Sequence, residues 1–139
     1  MRELVAEHGW PGRTLVGEDG AHAAWLLAQH ADHDPDFQRE CLTLLAAAVQ
    51  AGEASAADHA YLDDRVAVAE DRPQLYGTQF RQEGDRLVPA PIADAAHVDQ
   101  RRAALGLPTL AEYAESINLL RARESAPADD CSFAPNRPA

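Results

Sequence analysis

The 139-residue chain contains no lysine, so all twelve of its Lys/Arg side chains are arginines. The absence of a lysine amine excludes Schiff-base catalysis by lysine and a Walker-type phosphate loop. Cysteine is almost as scarce. Cys41 falls in an apolar helical pattern and Cys131 near the C-terminus, and this pair does not suggest a disulfide framework.

Positive charge is also scarce relative to negative charge. The formal net charge is −11 and the isoelectric point is near 4.8, which disfavours nucleic acid and anionic membranes as partners. No apolar run approaches the roughly 18–20 residues of a membrane span, and we expect no N-terminal signal. We therefore expect a cytoplasmic protein that binds a small molecule, with homo-oligomerisation left open.

The apolar periodicity predicts a mainly-α fold, a compact bundle of about five or six helices with one small inserted β-hairpin. The predicted helices span Arg2–His8, Gly20–Asp34, Pro35–Ala51, Ser55–Asp71, Asp94–Gly106 and Thr109–Ala122. The hairpin is expected within Gln74–Pro91. Residues 1–122 form the single expected domain, and residues 123–139 are expected to be a flexible C-terminal tail.

The second predicted helix carries three of the six histidines and is the expected centre of the molecule. At 100° per residue, one side presents Ala24, Leu27, Ala28 and Ala31, and small side chains let another backbone approach closely. The other side presents His22, Leu26, Gln29, His30 and His33, and is expected to line a cleft. Pro35 should end the helix, with Asp34 capping the next one.

Residues near the end of this helix are candidates for acid/base chemistry. We interpret His30 as a general base, Asp32 as the carboxylate that orients it, and His33 as a further catalytic group. Polar residues within or beside apolar patterns are candidates for substrate binding: Trp25, Gln29, Gln38, Arg65, Tyr76 and Gln79. The alternative is structural, with Arg65 neutralising Asp32 or Asp99 inside the fold.

Metal binding is a weaker interpretation. His30 and His33 with Asp34, or His59 with Asp63, have the chemistry of ligands, but the chain has no HExxH or CxxC motif. We therefore expect no metal and no other cofactor.

Several segments resemble one family when they are considered together: GWPG, VGEDGAHAAWLLAQHADHDP, YLDDRV, PQLYGTQF and VDQRR. They resemble an uncharacterised bacterial family, a domain of unknown function, over roughly Arg2–Tyr113. The resemblance implies membership of this family but no particular reaction, since the family has no established activity.

The preferred function is a small enzyme that uses metal-independent acid/base chemistry on a small polar metabolite, by hydrolysis, elimination or cyclisation. The first alternative is a non-catalytic module that binds a ligand or partner in the same cleft. The second is a metal-dependent hydrolase.

Overall fold

The computed structural model describes residues 1–125, which form six α-helices and one two-stranded antiparallel sheet. The helices are α1 (Arg2–His8), α2 (Arg13–Gln29), α3 (Pro35–Gln50), α4 (Ala56–Ala69), α5 (Val98–Ala104) and α6 (Leu110–Ser125). The strands are β1 (Phe80–Glu83) and β2 (Arg86–Pro89), and a 3₁₀ turn at Ala95–His97 precedes α5. The predicted mainly-α class is confirmed. Of the predicted tail, residues 126–139 lie outside the described residues.

Local capping signals account for three of the helix starts. Asp34 accepts a hydrogen bond from the Phe37 N–H at 3.3 Å and is followed by proline at the first position of α3. Ser55 caps α4 in the same way, through the Asp58 N–H at 3.3 Å. At α6, the Thr109 N–H donates to the Glu112 carboxylate at 2.9 Å, as in a capping box.

The predicted limits of α2 were wrong at both ends. The helix begins at Arg13 because Glu53, a residue from outside α2, accepts from the N–H and hydroxyl of Thr14 at 2.8 and 2.6 Å. Gly17, with φ of 74°, interrupts it, a conformation that favours glycine. The helix ends at Gln29 rather than Asp34, because residues 30–34 form a turn in which the Asp34 N–H donates to Ala31 O at 2.9 Å.

Helices α2, α3 and α4 form the core. A row of alanines on α2 and just after it is buried, at Ala21, Ala24, Ala28 and Ala31. The apolar residues around this row include Phe37, Cys41, Leu45, Leu62 and Val66. Leu27, which the helical pattern placed on the same side as the alanines, is 59% exposed. Small side chains alone therefore allow α2 to approach its neighbours closely.

The hairpin lies within the predicted range Gln74–Pro91 and occupies its second part. Phe80 pairs with Pro89 and Glu83 with Arg86, so the turn lies at residues 84–85. Residues 75–79 form a loop before β1. The buried side chain of Asp64 on α4 binds this loop through its backbone N–H groups, which a strand would use in a ladder.

None of the helices in the described part of the chain is both long and apolar enough to cross a membrane.

Candidate functional site

The structure brings together four of the residues predicted to form the site: Asp32, Gln38, Arg65 and Gln79, here called the polar cluster. Arg65 binds Asp32 through two nitrogens, with Nε 2.8 Å from Oδ1 and Nη2 bonded to Oδ2. Arg65 Nη1 donates to Gln79 Oε1 at 3.3 Å. Gln38, which is buried, donates to Asp32 Oδ1 at 3.3 Å. The cluster joins the end of α2 to α3, α4 and the loop before β1.

These contacts occupy the carboxylate that was predicted to orient His30. The hydrogen bond from Arg65 lowers the pKa of Asp32 below its ordinary value, so Asp32 is a carboxylate at neutral pH. His30 and His33 are exposed, and neither side chain makes a hydrogen bond to any residue that the structure describes. The catalytic roles of His30, Asp32 and His33 stay predictions, and the contact on which their chemistry depended is absent within residues 1–125.

Two other predicted residues lie beside the polar cluster. Gln29 is buried, and its Nε2 donates to Tyr61 O at 3.4 Å. Tyr61 lies one helical turn before Arg65 on α4. Trp25 packs against the Tyr61 ring in a T-shaped arrangement, with ring centroids 6.0 Å apart. Tyr76 lies elsewhere, in the loop held by Asp64, where burial raises the pKa of its phenol.

Replacing Arg65 with methionine is expected to lower the free energy of unfolding by only about 1 kcal/mol. The Asp32 side chain is 55% exposed, so water can solvate its charge when Arg65 is removed. If Asp32 were fully buried, removing its cationic partner would cost about 3–5 kcal/mol. Because the folded pKa of Asp32 is lowered, the pair stabilises the fold at neutral pH, and this contribution is lost as the pH falls through that lowered pKa. Urea denaturation measures the change, and a loss above about 3 kcal/mol would place Arg65 in the structural core.

Two buried residues that the sequence did not single out organise the loop after α4. Asp64 accepts hydrogen bonds from the N–H groups of Leu75, Tyr76 and Thr78 and from the Thr78 hydroxyl, at 2.8 to 3.2 Å. Gln74 bridges the base of the loop, donating to Gln79 O and Ala90 O at 2.9 Å. Both side chains are fully buried. Their role is to shape the loop.

Arg102 on α5 holds the same loop from the opposite side. Its Nη1 donates to Tyr76 O at 2.7 Å and its Nε to Pro108 O at 2.6 Å. Its guanidinium lies 4.8 Å from the centre of the Tyr113 ring, in cation–π contact. Arg102 is fully buried, whereas the Arg65 side chain is 27% exposed and pairs with Asp32, as the structural alternative proposed.

A cavity of about 380 Å³ lies between α2 and the start of α4, and we call it the α2–α4 cavity. Its volume falls within the roughly 300–1,000 Å³ of small-molecule sites. The residues that line it include Arg13, Glu18, Asp19, His22, Trp25 and Asp58. Trp25 is the one predicted site residue among those lining it; His30, Asp32 and Arg65 lie elsewhere.

His22 and Asp58 form the titratable pair in this cavity. Nδ1 of His22 lies 3.8 Å from Oδ2 of Asp58, a charge contact that is longer than a hydrogen bond. The Asp58 side chain is 22% exposed, and burial raises its pKa while the neighbouring His22 partly offsets that rise. The His22 side chain is 58% exposed, so the pair is a half-open one in which a histidine faces a carboxylate of raised pKa beside a cavity. Such pairs are candidates for acid/base chemistry.

The sequence does not single out this pair. His22 is one turn before Trp25 on α2, and Asp58 is in the first turn of α4. Their proximity depends on how α2 packs against α4, and no local pattern reports that packing. The spacing of His22 and Trp25 on one helix face was the available signal.

The described residues contain fewer of the groups that metal-dependent or thiolate chemistry would need. Residues 1–125 contain no group of three or more His, Cys, Asp or Glu side chains placed to hold a metal ion. Cys41 is fully buried, and burial raises the pKa of its thiol to about 11. A thiolate is therefore disfavoured at this position.

Comparison with known proteins identifies a family whose function is unknown. The model of a family of unknown function matches residues 1–123. No curated protein matches the chain, and neither does any solved structure. The chemistry has to be argued from the geometry of the chain itself.

Proposed function

We propose that this chain, which belongs to the family of unknown function DUF6624, is a small enzyme that uses metal-independent general acid/base chemistry. The substrate is a small polar molecule bound in the α2–α4 cavity. The reaction is a proton-transfer chemistry such as hydrolysis, elimination or cyclisation. This proposal keeps the class of function inferred from the sequence and moves the reacting groups to His22 and Asp58.

One observation carries the proposal: His22 and Asp58 face each other across 3.8 Å on the wall of a cavity of small-molecule size. A histidine exchanges protons near neutral pH, and a neighbouring carboxylate stabilises its protonated form. Asp58 is mostly buried, so its charge acts on His22 with less screening than an exposed carboxylate would. The pair therefore suits a general base and its electrostatic support.

The other residues of the cavity have supporting roles. Arg13 is held by Glu18, with Nε 3.0 Å from the carboxylate, and by Gly52 O at 3.2 Å. This fixes a cationic group at the edge of the cavity. Trp25 supplies an apolar wall, and His22 packs on it with ring centroids 5.0 Å apart. The imidazole of His22 is thereby oriented by a neighbour on its own helix.

A non-catalytic binding module is the second candidate. It is favoured by the length of the His22–Asp58 contact, which is too long for the hydrogen bond that orients a catalytic histidine in many enzymes. In that case the cavity would hold its ligand unchanged. The two candidates differ in one measurable respect, which is whether a bound molecule is converted.

The proposal predicts that His22→Gln lowers turnover by about 10²–10⁴-fold, the usual contribution of a general acid or base. The protein would be incubated with mixtures of small polar metabolites and with chromogenic esters and amides, and conversion followed by mass spectrometry or absorbance. His30→Gln is the matched variant. It removes an exposed histidine at the end of the same helix and should leave turnover within about twofold, as a residue outside the reacting groups does.

Two results would contradict the proposal. If His30→Gln abolishes turnover while His22→Gln does not, the reaction belongs beside the polar cluster. If a metabolite binds in the cavity and is recovered unchanged from both the wild type and His22→Gln, the protein is a binding module.

A further inference from the structure

The charges around the α2–α4 cavity are unevenly matched. Three carboxylates line it, at Glu18, Asp19 and Asp58, against the guanidinium of Arg13 and the imidazole of His22. Arg13 is already bound by Glu18 at 3.0 Å. An anionic ligand would meet two further carboxylates and no uncommitted guanidinium, so the cavity electrostatically disfavours anions.

Asp58 is the partly buried carboxylate of this cavity and lacks hydrogen-bond donors within residues 1–125. Its side chain is 22% exposed, yet its carboxylate oxygens accept no hydrogen bond from the residues that the structure describes. Its closest cationic neighbour is His22, at 3.8 Å. Burial raises the pKa of Asp58, which is the expected sign for a carboxylate that lacks sufficient donors. A cationic donor in the cavity would supply the missing hydrogen bonds.

The aromatic wall fits the same kind of ligand. The indole of Trp25 lines the cavity that Asp58 lines, and tryptophan is the side chain that attracts organic cations best. A carboxylate beside an indole is a common way to recognise an ammonium group, because one supplies charge and the other an apolar, electron-rich surface.

We propose that the ligand of the α2–α4 cavity is a small organic ammonium ion, held by the carboxylate of Asp58 and packed against Trp25. This inference rests on the proposed function for the place of the reaction, and adds the class of substrate.

The test uses the full chain and three probes of the same length: butylammonium, butanol and butyrate. Binding is followed by ¹H–¹⁵N NMR titration, with shifts expected at Ala21, His22, Trp25 and Asp58. Butylammonium should bind at least about 10-fold more tightly than either control, since one tenfold step corresponds to about 1.4 kcal/mol of charge interaction. Equal or tighter binding of butanol or butyrate would overturn the inference.

Two variants assign the effect to Asp58. Asp58→Asn keeps the shape of the side chain and should weaken butylammonium binding by about 10-fold or more. Glu83→Gln, which removes an exposed carboxylate on β1, should leave binding within about twofold. The spectrum of each variant shows whether it is folded. Unchanged affinity in folded Asp58→Asn would refute the assignment.

His22→Gln separates this inference from the proposed function. The variant should still bind butylammonium at least as tightly as the wild type, because Asp58 and Trp25, the two groups proposed to hold the cation, remain. If ammonium compounds bind in the cavity but none is converted, the reaction fails and the ligand class stands. If His22-dependent turnover is found on neutral or anionic substrates alone, the ligand class fails and the reaction stands.

Discussion

Replacing Asp64 with alanine is expected to lower the free energy of unfolding by about 3–5 kcal/mol. Asp64 is fully buried and accepts hydrogen bonds from three backbone N–H groups, those of Leu75, Tyr76 and Thr78. Each buried donor left without an acceptor costs about 1–3 kcal/mol, and partial access of water to the loosened loop limits the sum. Urea denaturation followed by circular dichroism measures the loss.

The neighbouring residue gives a closely matched control. Asp63 is only half-buried, accepts no hydrogen bond from the described residues, and has a pKa that burial raises. Asp63→Ala removes the same chemical group one position away and should change stability by no more than about 0.5 kcal/mol in either direction. Asp64→Asn should still be strongly destabilised, because an amide presents one acceptor oxygen where a carboxylate presents two. Equal stability of the two alanine variants would contradict this account of the loop.

Replacing Arg102 with alanine is expected to cost about 3–5 kcal/mol, the range for removing a large side chain from a core. The variant leaves a cavity beside Tyr113 and removes the donors to the carbonyl oxygens of Tyr76 and Pro108. Of the two, the Tyr76 carbonyl belongs to a half-buried residue and Pro108 is exposed, so most of the expected loss comes from packing. The thermal midpoint and the urea midpoint should fall together.

A second variant separates packing from charge. Arg102→Met fills much of the same volume, and no carboxylate forms a salt bridge with Arg102 among the described residues, so no charge is stranded. We expect Arg102→Met to lower the free energy of unfolding by roughly half as much as Arg102→Ala does. Arg81→Ala, at an exposed position on β1, is the control and should be within about 0.5 kcal/mol of the wild type. If methionine is as damaging as alanine, hydrogen bonding dominates over packing.

The fold could be predicted well where the determining signals are local. Asp34 before Pro35 and Thr109 before Glu112 mark the starts of α3 and α6 with groups that act within one helical turn. Gly52, with a positive φ just after α3, is a local stop signal of the same kind. These interactions involve residues close in sequence, so the sequence alone reveals them.

The features that were missed depend on distant residues. The start of α2 depends on Glu53, and the shape of the loop before β1 depends on Asp64. An aspartate followed by an arginine on α4 gives no indication that the first is buried and the second half-buried. Helical periodicity placed Arg65 among apolar residues of α4, but its side chain binds Asp32 and Gln79, and packing encloses Arg102 instead.

The sequence brought out the members of the polar cluster but not the His22–Asp58 pair, because contacts between distant residues depend on packing. Asp32, Gln38, Arg65 and Gln79 do meet, as polar residues on inward-facing patterns are expected to do. Their meeting satisfies them mutually and leaves little of Asp32 for His30. The pair His22 and Asp58 emerges from the packing of two helices whose sequences contain no shared motif.

The Leu75–Thr78 loop belongs to neither a helix nor a strand, yet few of its backbone torsions are free. Asp64 fixes three of its N–H groups and Arg102 fixes the Tyr76 carbonyl, from opposite sides. The conformational entropy of the loop is therefore lost when α4 and α5 pack, and not at any later event. Gln79, at the end of the loop, accepts a hydrogen bond from Arg65, and its backbone is held by Gln74 on both sides of the peptide. A ligand that contacted Gln79 would therefore pay little conformational entropy to order it.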